Sequence, residues 1–154
     1  MSQFPANPIP YPIPVVRAII SDAQGRVLLL RRANTNFGQD AWCLPGGKID
    51  CGQNAEAALT AELAEELAVQ IEQAVYLFSQ DSPPGQPSEP HFLNLYFYCR
   101  VAGEIQLNKE SSAYAWIGPD DLADYVVAFG NAKAIRRFFA GQTHTHSVNS
   151  LNLA

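Results

Sequence analysis

Leu59, Leu63 and Leu67 recur every fourth residue in the stretch AEAALTAELAEELA, and Glu62, Glu65 and Glu66 are set among them. Apolar residues at that spacing form one stripe of an α-helix, and the alanine and leucine content favours the same state. Asn54 is a suitable N-cap, so a helix is predicted from about Asn54 to Ala68. At 100° per residue the glutamates lie about 100° around the helix from the leucines. One face can therefore pack while the other stays open to a ligand. Three carboxylates on one face repel by about 0.2–0.5 kcal/mol per pair, and a solvated acidic surface is one way to tolerate that. A hard divalent cation is another, because Mg2+ is held by carboxylates together with substrate phosphates and water. Just upstream, Gly46 and Gly47 allow the backbone to approach closely and leave a carbonyl free for a metal.

The rest of the chain supplies strands around this helix. VVRAII and VLLLR read as two strands joined by SDAQG in a hairpin with Gly25 at its turn. WCLPGG reads as a short strand ending at a glycine turn, and VQIEQAVYLFS as another strand. DSPPGQPSEP is a loop with four prolines. FLNLYFYCRV alternates, placing Leu93, Leu95, Phe97 and Cys99 on one side and Asn94, Tyr96, Tyr98 and Arg100 on the other. SAYAWI is a short strand, Pro119 opens a helical turn in GPDDLADYV, and NAKAIRRFFA is a closing amphipathic helix. Residues 1–14, with a run of prolines, read as an extended arm, 15–140 as one domain, and 141–154 as a loose polar tail. Without regular βαβ alternation, the fold class is an α/β sandwich with a mixed β-sheet.

Charge narrows the partners. A net charge of −5 in 154 residues argues against a nucleic-acid polymer, which needs a basic patch, but not against a small phosphorylated ligand. No run of 18 or more apolar residues spans a membrane, and no secretory leader is read at the N-terminus. Cys43, Cys51 and Cys99 lack metal spacing and read as free thiols, which points to a reducing cytoplasm.

The segment from Gly47 to Val69 resembles the signature of the Nudix hydrolase family, G-x5-E-x7-R-E-U-x-E-E-x-G-U with U aliphatic. Gly47 takes the opening glycine, Glu62 and Leu63 the E-U, Glu65 and Glu66 the E-E, and Val69 the closing aliphatic. AWCLPGGKI and the strand ending LLLRR are similar to the family's flanking segments. The likeness runs from about Val15 to Ala140. Gln53 stands where the family has glutamate, Ala61 where it has arginine, and Ala68 where it has glycine.

The resemblance implies a Nudix-like α/β/α sandwich with a mixed sheet. It implies Mg2+- or Mn2+-dependent hydrolysis of a pyrophosphate linkage in a nucleoside diphosphate derivative, such as a nucleoside triphosphate, a nucleotide sugar or a dinucleotide. Glu62 and Glu65 are then catalytic, with Glu62, Glu65, Glu66, Glu110 and the Gly46 carbonyl as metal ligands. Arg31 and Arg32, at a strand end, are candidates for binding phosphate, and Tyr96 and Tyr98 for lining the substrate pocket. Trp42 and Trp116 read as core anchors. His91 reads either as part of the substrate loop or as a plain surface residue, and His144 and His146 carry no site. The partner is a small nucleotide, with no polymer and no membrane, and a homodimer is left open. The alternative from another class is a non-catalytic module of the same fold that binds a nucleotide as a sensor or scaffold.

Overall fold

A computed structural model describes residues 11–85 and 89–151, with side chains as far as residue 141. In chain order the elements are β1 (Ile13–Ile20), β2 (Val27–Arg32), β3 (Trp42–Cys43), β4 (Gly46–Lys48), α1 (Ala55–Leu67), β5 (Gln70–Ser82), β6 (Phe92–Ala102), β7 (Ser111–Ile117), a 3-10 turn (Leu122–Asp124) and α2 (Asn131–Leu151). Two sheets form. One is mixed, in the order β4-β1-β6-β5, with β1 and β6 parallel; the other is antiparallel, in the order β3-β2-β7.

The period of two along the central strands divides their side chains between two cores. Val16, Ala18, Ile20, Leu28, Leu30, Phe97 and Cys99 pack with Leu59, Leu63 and Leu67 of α1. Ile19, Val27, Leu29 and Tyr96 pack with Ala134, Ile135 and Phe138 of α2. The molecule is thus the α/β/α sandwich expected. Each fully buried leucine of α1 contributes about 1.5–3 kcal/mol. The helix begins as read: the Asn54 side chain accepts from the Ala57 N–H.

Several local expectations are corrected. β1 and β2 do not form an extended hairpin. They share only the bridge Ser21–Val27 and then part into different sheets. Val15–Ile20 and Val27–Leu30 are all buried, and pairing only with each other would leave each strand one unsatisfied edge. The turn between them is as read, with Asp22 Oδ1 accepting from the Gln24 and Arg26 N–H groups.

Gly46 and Gly47 lie in strand β4, not in a turn, paired antiparallel with Arg17 and Val16. Ile13 and Pro14, assigned to the arm, begin β1. Pro14 has no N–H to lose there, and its carbonyl accepts from Ile49. Residues 1–10 of the arm lie outside the described residues. The segment after Pro119 forms a single 3-10 turn, because the Asp121 carboxylate reaches back to the Gly118 N–H.

The last helix does not stop at Ala140 but continues through Gly141 to Leu151. Extending a nucleated helix is far easier than starting one, and one interior glycine costs only about 1 kcal/mol. On β6 the side read as polar faces the second core. Tyr96 is fully buried there, and Tyr98 packs against Phe138.

Candidate functional site

Gly46 and Gly47 hold α1 and β4 together at close range. Gly46 has φ +151°, and a Cβ there would collide with the Val16 carbonyl oxygen. At Gly47 a Cβ would occupy the place of the Glu62 carboxyl group. The double glycine upstream of the acidic helix is therefore a seat for the glutamates. Glu66 Oε2 also accepts from the Gly46 N–H at 3.1 Å, tying the helix to the strand.

The seat forms one wall of a cavity of about 650 Å³, to which Glu62, Glu66, Asp50 and Glu110 contribute carboxylates. Their charges crowd one another. Burial, followed by the charges of Glu65, Glu110 and Asp50, pushes Glu62 up to about 7, with Arg17 opposing. Burial raises Glu66 further, to about 8; the Gly46 N–H and Arg17 oppose it, while Glu62 and Glu110 add to it. Burial is the larger cause for both carboxyls and their mutual repulsion adds to it, so a cation beside them would be favoured.

Arg17, Arg32 and Lys48, with Phe37, Phe92 and Phe129, line the same cavity. Arg17 is only 5% exposed. Its Nε donates to Asn94 Oδ1 at 3.1 Å and its Nη1 to the Leu44 carbonyl at 3.3 Å. Arg32 donates through Nε to the Phe37 carbonyl and through Nη2 to Thr35 Oγ1. Neither arginine forms an ion pair among the described residues.

The structure thus brings together Glu62, Glu66, Glu110, Gly46 and Arg32 of the residues singled out from sequence. Glu65 is exposed at the rim, outside the cavity lining but near enough to raise Glu62. Three expectations fall outside the cavity. Arg31 does not line the cavity and lies exposed, 3.6 Å from Asp40, where the pairing of β2 with β7 shifts register between the two arginines. Tyr96 is buried under α2 with its hydroxyl accepting from Asn131 Nδ2, and the Tyr98 hydroxyl bonds Ser21 Oγ. Neither tyrosine lines the cavity, because the face they occupy is covered by the second helix.

Trp42 and Trp116 pack against the two cores as anchors. His91 is paired with Asp81 at 3.3 Å. The side chains of His144 and His146 lie outside the described residues. All three cysteines are free, Cys51 at the surface. Sequence reading passed over Arg17, Asn94 and Phe129. Arg17 did carry a signal, as one charge inside the apolar run VVRAII, since buried charges are rare without a purpose.

The oxygen-only donor set fits a hard divalent cation. Among the described residues no group of three or more His, Cys, Asp or Glu side chains stands close enough to hold a metal ion by itself. Mg2+ does not require such a group, because it commonly uses one or two carboxylates and completes its shell with substrate phosphate and water.

This arrangement of sandwich, acidic helix face and glycine seat has known counterparts. The NUDIX domain family model matches residues 12–138, and the chain belongs to the Nudix family. It is similar to the nucleoside triphosphatase NudI of Escherichia coli strain SE11, 34% identical over 104 residues, covering 62% of this chain and 74% of that one. Among solved structures it resembles a MutT protein from Methanosarcina mazei Go1, with TM-score 0.76 and 22% identity over 87% of this chain and 98% of that one. It also resembles a MutT NUDIX hydrolase from Burkholderia pseudomallei, with TM-score 0.65 and 28% identity over 71% of this chain and 85% of that one. The protein is accordingly a pyrophosphohydrolase, an enzyme acting on acid anhydrides in phosphorus-containing compounds. No described helix is long and apolar enough to cross a membrane.

Proposed function

We propose that the protein is an Mg2+-dependent hydrolase of a pyrophosphate linkage in a nucleoside diphosphate derivative, with a nucleoside triphosphate as the foremost candidate. The observation that carries this reading is that one cavity holds both crowded carboxylates and two arginines that have no ion-pair partner among the described residues. A polyphosphate with its cation matches both at once. The similarity to a nucleoside triphosphatase supports the choice among substrates.

Glu62 and Glu66 would hold the cation, with Glu65, Glu110 and the Gly46 carbonyl as further candidate oxygens. Bound there, the cation supplies charge neutralisation at the phosphoryl oxygens and acidifies water. Glu62, which lies against Gly47, would act as the base that takes the proton of the attacking water. Arg32 offers its guanidinium to phosphate, with its Nε and Nη2 already fixed by the loop carbonyl and hydroxyl.

The sensor reading rests on Gln53 and Ala61. In place of an arginine partner for Glu62, the structure has an exposed Ala61, while Gln53 Oε1 accepts from the Asp50 N–H. Phosphate release from a nucleotide panel, with and without Mg2+, separates the two. Metal-dependent turnover of at least one triphosphate is expected. Binding without turnover across the whole panel would establish the sensor.

A further inference from the structure

Phe129 is the least explained residue of the cavity. It is not glycine, yet its φ is +61°, a conformation that bulky side chains rarely adopt. Such a backbone persists only where its surroundings enforce it, and the residues that do so are visible. The Phe129 carbonyl accepts from Asn94 Nδ2 at 3.2 Å and Asn131 Nδ2 at 3.4 Å. Asn131 is in turn fixed by the Leu44 N–H, which donates to its Oδ1 at 2.9 Å. Phe92 stands edge-on to the ring with centroids 5.6 Å apart.

What this achieves is the ring's position. The Arg17 guanidinium lies 4.9 Å from its centroid and that of Arg32 lies 4.6 Å from it. One aromatic ring thus serves two cations, from strands that belong to different sheets. Asn94 joins the arrangement a second time, since its Oδ1 accepts from Arg17 Nε while its Nδ2 holds the Phe129 carbonyl. Arg17 is almost wholly buried, and its hydrogen-bond partners are neutral oxygens. Its charge reaches Glu62 and Glu66, yet among the described residues it forms no ion pair with either, and it borders the cavity.

We propose that Arg17 and Arg32 form a paired clamp for a phosphate group of the substrate, and that Phe129 is the positioning residue that holds the pair in register. This rests on the anhydride-hydrolysis reading of the same cavity and adds to it a second, buried phosphate ligand and the residue that sets the spacing. Among the hydrogen bonds of the two guanidiniums, those of Arg17 use Nε and Nη1 and those of Arg32 use Nε and Nη2, with the buried Cys43 thiol also beside Arg32. The two guanidiniums suit the tetrahedral oxygens of phosphate.

The test uses the full chain, with methylenediphosphonate (a pyrophosphate whose bridging oxygen is replaced by carbon) and Mg2+ as the probe, so that binding is read without turnover. Phe129→Leu keeps apolar bulk but loses the π face, and should weaken methylenediphosphonate binding about tenfold. Phe129→Tyr keeps the face and should stay within about twofold of the parent. In an Arg32→Gln background the Phe129→Leu effect should shrink below about threefold, because one of the two cations it positions is gone. Arg32 is half-buried, so this variant keeps the core intact even if changes at Arg17 do not fold. For any nucleotide that is hydrolysed, the Phe129→Leu loss should fall on KM with kcat within about threefold.

An undiminished Phe129→Leu effect in the Arg32→Gln background would overturn the clamp, as would a loss confined to kcat. If the expected binding pattern appears but no nucleotide is turned over, the clamp stands and the hydrolase reading falls. If nucleotides are hydrolysed but methylenediphosphonate binding ignores Phe129, the reverse holds.

Discussion

The two walls of the cavity are built in opposite ways. The acidic wall comes mainly from one helix and the strand it sits on. Glu62 and Glu66 are four residues apart, and the Gly46–Gly47 seat lies within 20 residues of Glu66. The cationic wall is assembled from Arg17, Arg32, Asn94 and Phe129, with 77 residues separating Arg17 from the asparagine that holds it. Damage to the first wall should therefore remain local and chemical, whereas damage to the second should spread through a network joining both sheets.

The largest expected effect is on the acidic wall. Glu66→Gln removes a carboxylate able to ligate a cation while leaving an oxygen able to accept from Gly46, so the protein should fold. Its kcat/KM should drop by about 10²–10⁴-fold, and its affinity for Mn2+, followed by water-proton relaxation, should fall in parallel. Equal Mn2+ affinity in the two proteins would remove Glu66 from the site.

The two glycines sharpen the contrast within that wall. An alanine at Gly46 meets the Val16 backbone, which cannot move aside, so Gly46→Ala should destabilise by about 2–4 kcal/mol. At Gly47 the obstructed atoms belong to the Glu62 carboxyl, the free end of a flexible side chain. Gly47→Ala should change stability by less than about 1 kcal/mol, yet lower kcat at least about tenfold by displacing Glu62. Equal stability losses in urea unfolding would show that the seat is structural at both positions.

On the cationic wall Asn94→Ala should behave differently from any single glutamate change. It leaves Arg17 Nε and the Phe129 carbonyl short of partners, and should cost about 1–3 kcal/mol of stability along with substrate affinity. If stability is untouched, the two walls are equally local and the comparison fails.

A smaller effect is spread over pH. Glu62 and Glu66 have an ordinary value of 4.5 but hold their protons up to about 7 and 8 in the metal-free fold. Between those limits the folded state binds more protons than the unfolded chain, so metal-free stability should decrease as pH rises. Thermal unfolding from pH 5 to 8 should show a falling Tm, and Mg2+ should flatten the trend. A Tm that rises across this range without metal would contradict the crowding of the wall.

The smallest change lies at the end of the acidic helix. Ala68 caps it in the left-handed region, φ +57°, with its N–H directed to the Ala64 and Leu63 carbonyls. Ala68→Gly relieves that conformation and should add about 0.5–1 kcal/mol of stability without altering activity. An effect on kcat would mean that the helix end reaches into the acidic wall.

Local pattern in the sequence determined the helix from its Asn54 cap, its leucine stripe, the glutamates on another face, and with them the family and the acidic half of the site. These follow from periodicity within one element, which a short stretch of chain contains in full. The two-sheet arrangement was not legible, because a pair of fully buried strands reads the same whether they pair with each other or with distant partners. For the same reason Tyr96 and Tyr98 read as pocket residues: alternation reveals two faces of a strand, but not that a second helix covers the polar one. Arg31 and Arg32 were equivalent by composition, and only their placement at the irregular end of β2 beside the cavity separated them. The Arg17–Phe129–Arg32 stack was decided wholly by tertiary structure, because its members share no element and meet only when the sheets close around Phe129.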